Sequence, residues 1–548
     1  MRLIFRFYFL FALCTASLNA TAQYPHSLSE NPRLIVGIVI EQMRSDYISR
    51  FWDKFGEGGF KKLVNEGTYC RNASFCHFYM QTAPGYATIY TGSSPSSHGI
   101  VANEWYDRQR NRLISAVDDE TMRTVGGTFD AGRYSPKQLI PTTIGDEIKL
   151  SGMMRPKVFS VSLDPVSAVL AGGHTANGAF WLDDETGGWV TSSYYMQRLP
   201  EWLVEKNDKK FADLYLTQTW DTSFHVSEYI GDDQGAHETG IAGRLVFPYV
   251  LPEIAFRMSI SDRYRLLKQT PFGNTLTKDL AVYTIMNENL GQNNQTDMIS
   301  ISFVATQYIG NAFGTVSVEV EDAFVKLDRD LEHFLKFLDE HIGLQNTLIF
   351  VTSNHGAATT PGYVEDAGAP AGTFNVNAAV SLLRSYMNAL YGSGDWVRGF
   401  YGHQLYLNTD LLENSKLDVE AVREIVANFM LQFTGVSNTF THSTLQNSQF
   451  TEGYRRNLQN NFYPRRSGCV FINLHPGWIE RNNRATGHNS AYVYDTRVPL
   501  IWYGWNVKRE IITRPVSMTD VATTIAEMMN IMTPNAATGK IIEELIRR

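Results

Sequence analysis

The stretch Leu348–Ala357 (LIFVTSNHGA) holds the side chain best suited to chemistry at the end of a strand, the imidazole of His355. Residues 348–351 are a short apolar and partly β-branched run, which is typical of a strand buried on both faces. Ligands of open α/β sheets bind beyond the carboxyl ends of the strands. His355 is therefore a candidate site residue. The alternative is a surface histidine in a turn.

Strands and helices alternate along the chain. Further buried strands are predicted at Leu34–Ile40, Lys157–Leu163, Met298–Val304 and Pro499–Trp502, and helices at Met43–Leu63 and Val318–Ile342. In the second helix the apolar residues recur at helical spacing, with charged residues opposite. The alternation predicts an α/β fold with a mostly parallel sheet sandwiched by helices. Residues 173–272 and 396–476 break the pattern, and we interpret them as two insertions that cap one end of the sheet.

Composition places the chain among globular proteins. Its 548 residues are 43% hydrophobic and 19% charged, with a formal net charge of -8. This acidic balance, with no stripe of basic residues, excludes nucleic acid as a partner. Cys70 and Cys76 would pair in an oxidising compartment or remain buried thiols, and the spacing leaves both alternatives open.

The N-terminus is typical of an export signal. Arg2 and Arg6 precede the apolar run Phe7–Leu13, and Ala20-Thr21-Ala22 fits a small-residue cleavage site. The apolar run is too short to span a bilayer, and no later segment is long and apolar enough to do so. We therefore predict a signal peptide over residues 1–22 and an exported mature chain, 23–548, that is periplasmic or secreted.

Four segments share a pattern with a known family. They are Ile38–Arg44 (IVIEQMR), Gln81–Asp107 with its TGSSPSSHGI loop, Asn354–Ala357 (NHGA) and Gly487–Ser490 (GHNS). Together they resemble the alkaline phosphatase superfamily, most closely the bacterial phosphate-irrepressible phosphomonoesterases that have a threonine nucleophile. The resemblance covers nearly the whole mature chain, including both insertions. It implies the alkaline phosphatase sandwich fold.

The resemblance also implies roles for particular residues. Members of this family cleave a phosphate ester between two zinc ions, which polarise the phosphoryl oxygens and activate the nucleophile. Thr82 matches the nucleophile, and Asn103 matches an amide that binds phosphate. His355 and His488 match histidine ligands of the zinc ions. Glu41 stands where the family has an aspartate ligand.

Other ligand positions depart from the family. Gln307, Asn311 and Asn354 stand where the resemblance implies Asp, His and Asp. Asp164 and Val166 replace the lysine and arginine that clamp the substrate phosphate. Amide oxygens are neutral and bind zinc poorly compared with carboxylate or imidazole. We therefore predict no metal ion or one divalent ion, with zinc as the candidate, rather than two zinc ions.

Three functions remain open at this stage. The first is a catalytically inactive, phosphatase-like protein that binds or scaffolds other proteins of the cell envelope. The second is an active hydrolase of phosphate mono- or diesters with one metal ion at Glu41, His355 and His488 and Thr82 as nucleophile. The third is a small-molecule binding module that uses the aromatic-rich insertion at 173–272.

Overall fold

The computed structural model describes residues 31–259 and 262–546. The predicted signal peptide, residues 1–22, lies outside the described residues. Within them, no helix combines the length and the apolar character needed to cross a membrane.

An 11-stranded sheet forms the centre of the molecule. Its strands, in spatial order, are Glu510–Ile512, Thr68–Ser74, Arg497–Gly504, Thr347–Thr352, Leu34–Ile40, Asp297–Phe303, Val158–Ser162, Gly178–Leu182, Trp189–Ser192 and Thr124–Val125, with Val516–Ser517 also paired to Thr68–Ser74. The middle of the sheet is parallel; Ile38, for example, pairs with both Ile301 and Val351. Arg497–Gly504 runs antiparallel to both of its neighbours. The predicted fold class, a mostly parallel sheet covered by helices, is confirmed.

Alternate residues of the first strand face two separate hydrophobic cores. All seven residues of Leu34–Ile40 are buried. Leu34 and Ile38 pack into one cluster, and Ile35 and Val39 pack into the other. A strand covered on both faces needs apolar residues at every position, which is why the central strands are continuous apolar runs.

Helices cover both faces of the sheet. One face is packed by helices Pro271–Asn287, Ala305–Phe313 and Val318–His341, and the other by Thr82–Thr91, Ile144–Ser151, Pro165–Gly172 and Asp520–Met528. The helix Val318–His341 begins after Ser317, whose Oγ accepts a hydrogen bond from the Val320 amide at 3.2 Å.

The remaining elements are short. Helices occur at Tyr47–Arg50, Phe60–Glu66, Pro95–His98, Glu201–Asp208, Phe211–Leu216, Leu251–Phe256, Arg265–Lys268, Pro361–Asp366, Thr409–Asn414, His442–Asn447, Gly453–Asn461, Val493–Thr496 and Glu543–Ile546. Two-stranded sheets pair Glu104–Asp107 with Arg112–Ser115, Thr219–Trp220 with Tyr249–Val250, and Gly372–Phe374 with Trp478–Glu480.

The two regions interpreted as insertions differ in structure. In residues 173–272, the strands Gly178–Leu182 and Trp189–Ser192 extend the central sheet, and short helices follow them. In residues 396–476, the strands Val397–Tyr401, Gln404–Leu407, Val436–Thr441 and Val470–Leu474 form a separate four-stranded sheet. The helices Val376–Tyr391 and Val419–Met430 pack against this second sheet and enclose a small core of its own.

A long helix at Met43–Leu63 does not form. The chain makes the short helices Tyr47–Arg50 and Phe60–Glu66, and the segment between them turns. Asp328 holds this turn, because its carboxylate accepts hydrogen bonds from the Gly56 and Phe60 amides at 2.7 and 2.6 Å. All three cysteines in the described residues, Cys70, Cys76 and Cys469, are free thiols.

Candidate active site

Thr82 is the first residue of the helix Thr82–Thr91, at the carboxyl edge of the central sheet. The next residue, Ala83, donates its backbone N–H to the side-chain oxygen of Asn103 at 2.8 Å. The backbone N–H of Asn103 in turn donates a hydrogen bond to the side-chain oxygen of Gln81 at 2.6 Å. The fold therefore brings the predicted nucleophile position and the predicted phosphate-binding amide together.

Gln307 lies between Thr82 and His355. It projects from the helix Ala305–Phe313, which begins directly after the central strand Asp297–Phe303. Its side-chain oxygen accepts a hydrogen bond from Thr82 Oγ1 at 3.4 Å and lies 3.1 Å from His355 Nε2. A neutral carboxamide thus occupies the space between the hydroxyl and the imidazole.

Gln42 donates hydrogen bonds to the side chains of both Asn311 and Asn354. Its backbone N–H donates to Asn354 Oδ1 at 3.3 Å, and its side-chain Nε2 donates to Asn311 Oδ1 at 3.2 Å. Gly310 makes this close packing feasible, because a Cβ at that position would lie 2.0 Å from Gln42 Oε1. The side chains at the three altered ligand positions, Gln307, Asn311 and Asn354, therefore all form hydrogen bonds within the protein.

The helix that carries Thr82 approaches the strand end at Asn354 very closely. A Cβ at Gly85 would lie only 2.3 Å from the backbone oxygen of Asn354. No larger residue fits without moving the helix, since real Cβ atoms do not approach an oxygen so closely.

Glu41 is fully buried beneath this set of amides. Burial raises the pKa of its carboxyl to about 8, although Ser167 Oγ donates a hydrogen bond to it at 2.5 Å. Glu41 is therefore mostly protonated at neutral pH in the protein as it stands. A protonated carboxyl offers a metal ion less charge than a carboxylate does.

The rings of His355 and His488 stack face to face. Their centroids are 3.9 Å apart, with 24° between the ring planes. His488 Nδ1 lies 2.6 Å from the backbone oxygen of Met80, and His355 Nδ1 lies 2.7 Å from that of Gly356. His355 is buried and His488 is partly buried, and this loss of solvent lowers both pKa values, that of His488 to about 4.

This arrangement does not fit a zinc ion shared by the two histidines. The lone pair of an imidazole nitrogen lies in the plane of the ring, so two nearly parallel stacked rings direct their lone pairs side by side rather than toward one point. Among residues 31–259 and 262–546, no group of three or more His, Cys, Asp or Glu side chains is arranged to hold a metal ion.

The position of the substrate clamp is filled by an internal ion-pair network. Tyr308 donates its hydroxyl hydrogen to Asp164 at 2.7 Å, and Lys268 Nζ lies 2.8 Å from Asp184 Oδ1. Burial alone would lower the pKa of Lys268, but the negative charges of Asp164 and Asp184 outweigh it and raise the pKa. Val166 packs against the apolar cluster on one face of the sheet.

The sequence profile of the Type I phosphodiesterase / nucleotide pyrophosphatase family matches residues 35–491. The chain belongs to this family, within the alkaline phosphatase superfamily. Alkaline phosphatase PhoV of Synechococcus elongatus is 34% identical over 528 residues, covering 96% of this chain and 94% of PhoV. Alkaline phosphatase PafA of Elizabethkingia meningoseptica is 33% identical over 524 residues, covering 94% of this chain and 95% of PafA.

Solved structures of the superfamily agree with this assignment. The crystal structure of wild-type alkaline phosphatase PafA matches with a TM-score of 0.90 and 32% identity, over 94% of this chain and 99% of PafA. Murine ectonucleotide pyrophosphatase / phosphodiesterase 5 matches with a TM-score of 0.51 and 12% identity, over 91% of this chain, which shows a shared fold alone.

Several residues around this alkaline phosphatase-like site escaped the sequence argument. Gln42 stands directly after Glu41, and its positive φ of 60° sets the path of the turn that reaches Asn311 and Asn354. No local signal marks Lys268, because it lies on a short helix about a hundred residues after Asp164 in the chain, where it pairs with Asp184 at 2.8 Å. The negative charge of Asp164 nevertheless favours a cation in its neighbourhood.

Proposed function

We propose that this alkaline phosphatase-like protein is catalytically inactive and acts as a binding or scaffolding component of the cell envelope. The observation that supports this proposal best is the position of Gln307. Its carboxamide contacts both Thr82 and His355, the two groups that a two-zinc mechanism requires on one metal ion.

Charge is the physical reason. Two zinc ions bring four positive charges into a partly dry pocket, and anionic ligands must offset them. Gln307 and Asn354 carry no charge and already bond to protein groups. The hydroxyl of Thr82 then has neither a metal ion nor a neighbouring base to make it nucleophilic.

The clamp position supports the same proposal. A substrate phosphate would meet the carboxylate of Asp164 where the family has a cation. The nearby Lys268 is paired with Asp184 at 2.8 Å, so its charge is already used within the protein. Val166 stands at the position of the family's arginine and has no guanidinium group to bind phosphate in a bidentate manner.

A second candidate is a hydrolase of phosphate mono- or diesters with a single metal ion. The relatives named alkaline phosphatases favour it, and so does the retained geometry of Thr82 and Asn103 at the start of the helix. This candidate requires Glu41 to lose its proton and the stacked rings of His355 and His488 to separate, so that ligands converge on one ion.

We also propose that the chain is exported to the periplasm or secreted. The support is the charged, apolar and small-residue pattern of residues 1–22. An inactive protein in that compartment would act through its surfaces, and other envelope proteins are the partners that we propose.

A metal count combined with an activity assay tests the proposed function. The mature chain is purified without chelator, zinc is measured by mass spectrometry, and turnover of an aryl phosphate monoester and diester is followed with and without added zinc. We expect much less than one zinc per chain and no turnover above the Thr82→Ala variant. Two zinc ions per chain, with turnover that Thr82→Ala abolishes, would overturn the proposal. One ion with such turnover would establish the single-metal hydrolase instead.

A further inference from the structure

A cavity of about 980 Å³ borders the central sheet, and Thr82, His355 and His488 are not among its lining residues. It opens between the strand Thr68–Ser74 and the turn that follows the first strand. Its walls include the aromatic side chains Trp52 and Tyr69 and the guanidinium groups of Arg71, Arg497 and Arg509. We call it the arginine pocket.

Sheet register gathers the three arginines. Arg71 is two residues after Tyr69 on the same strand, so both side chains point to one face of the sheet. Arg497 starts the neighbouring antiparallel strand, where it pairs with Ser74. Arg509 immediately precedes the edge strand Glu510–Ile512, which pairs in parallel with Thr68–Ser74 on its other side. Two adjacent strands, and the residue just before a third, thus each bring one arginine to the lining of the pocket.

These arginines lack carboxylate partners. Within the part of the chain that the structure describes, Arg71, Arg497 and Arg509 form no side-chain hydrogen bond and no ion pair. Asp46, which also lines the pocket, is already paired with Arg44 at 2.8 Å. Glu510 is the remaining acid of the lining, which leaves an excess of positive charge in a chain whose net charge is -8. Unpaired arginines that converge on one cavity in an acidic protein favour a negatively charged ligand.

The lining also offers aromatic and aliphatic surface beside the small polar residues Ser45, Ser49 and Asn65. Trp52 and Tyr69 offer ring surfaces, and Ile511 lines the pocket with 52% of its surface exposed. Pockets for small molecules commonly combine such apolar walls with a few polar groups that fix the orientation of the ligand. Guanidinium groups bind the oxygens of phosphate, phosphonate and sulfonate in bidentate geometry, and they stack on aromatic rings.

We propose that the arginine pocket binds a small amphipathic oxyanion, an aromatic body that carries a phosphate, phosphonate or sulfonate group. The oxyanion head contacts Arg71 and Arg497, and the aromatic body packs against Trp52 and Tyr69. The binding site is separate from the phosphatase-like site, because the two share no side chain. It is independent of whether that site is active.

Isothermal titration calorimetry on the full mature chain tests this binding. The probe is naphthalene-2-sulfonate, which no phosphatase hydrolyses. Naphthalene-2-sulfonamide supplies the ring without the charge, and methanesulfonate supplies the charge without the ring. We expect one saturable site for the probe and at least tenfold weaker binding of either fragment. Comparison with naphthalene-2-phosphonate shows whether the site prefers a phosphorus or a sulfur oxyanion.

Variants locate the site. Arg71→Gln combined with Arg497→Gln removes two charge-assisted contacts and is expected to weaken binding about tenfold or more. The matched charge control is Arg257→Gln combined with Arg329→Gln, which removes two exposed arginines outside the pocket and should bind normally. Thermal unfolding confirms that each variant is folded. The proposal is overturned if the probe does not bind at millimolar concentration, if the control variant weakens binding as much as the pocket variant, or if Gln307→Ala abolishes binding.

Discussion

Restoring two carboxylates should restore zinc binding. The change is Gln307→Glu together with Asn354→Asp, which keeps the shape of each side chain and adds a negative charge to each. Gln307 Oε1 already lies 3.4 Å from Thr82 Oγ1 and 3.1 Å from His355 Nε2, and Asn354 Oδ1 accepts from the Gln42 amide at 3.3 Å. The new carboxylates would therefore face the same groups.

The size of the effect follows from Coulomb's law. Unit charges about 4 Å apart attract by about 4 kcal/mol at an effective dielectric constant of about 20, so a zinc dication and one carboxylate attract by about 8 kcal/mol. If desolvation offsets about three quarters of that attraction, each carboxylate contributes about 2 kcal/mol. Two carboxylates then tighten zinc binding on the order of 10³-fold relative to the natural protein.

Zinc affinity is measured by competition with a chromophoric chelator at pH 7.5, and stoichiometry by mass spectrometry. The control is Asn287→Asp with Gln292→Glu, which adds the same charge at exposed amides. Our reasoning fails if the natural protein binds zinc as tightly as the restored variant. It also fails if restoration changes affinity no more than the control does.

Three further predictions concern the fold around the site. Burial raises the pKa of Glu319 to about 9, above its usual 4.5, so the folded state holds a proton that the unfolded state releases, and stability falls as pH rises from 4.5 to 9. Glu319→Gln keeps an acceptor for the Tyr249 hydroxyl and carries no proton to lose. Measured by urea unfolding, the stability of this variant relative to the natural protein should increase from pH 5 to pH 8, by up to about 1.4 kcal/mol per pH unit. The same difference in stability at both pH values contradicts this prediction. Gly85→Ala should destabilise by about 1–3 kcal/mol in thermal unfolding, because its Cβ meets Asn354, whereas an unchanged midpoint would mean that the helix moves freely. Asp328→Ala should destabilise by about 2–3 kcal/mol, with Asp328→Asn losing about half as much, since the buried Phe60 N–H and the Gly56 N–H both lose their acceptor; equal losses would argue against that role.

The central strands could be predicted from the sequence because their environment dictates their composition. Leu34–Ile40 and Thr347–Thr352 are buried on both faces, so every position is apolar or small, and the pattern needs no knowledge of distant residues. The long helix Val318–His341 was predictable for a similar reason, because one of its faces packs on the sheet. Its predicted end at Ile342 is one residue beyond the observed end.

The prediction of a helix at Met43–Leu63 was wrong because the contact that decides this backbone comes from a distant part of the chain. Gly56, Gly58 and Gly59 favour a turn, and the carboxylate that fixes this turn is Asp328, far away in sequence. Apolar residues on either side imitate helical spacing. Tertiary contact decides the backbone here.

The sequence predicted which residues form the candidate site. It did not predict which side chains those residues would bond to. The resemblance identified Thr82, Asn103, His355 and His488, and the fold brings these residues to one place. It could not indicate that Gln42 bonds to two of the amides, that Tyr308 donates to Asp164, or that Lys268 pairs with Asp184. Such contacts depend on turns and short helices whose geometry is set by packing. The loss of zinc binding stays a prediction.

The amide contacts of Gln42, Gln307, Asn311 and Asn354 have a consequence for how the site can change. A single acidic substitution, such as Gln307→Glu, would place a partly buried negative charge beside Thr82 with no cation to offset it, although its oxygen could still accept the Thr82 hydrogen bond. Such a change costs stability unless a cation or a further substitution accompanies it. Chemistry that depends on charge is therefore gained here by several changes together rather than by one at a time.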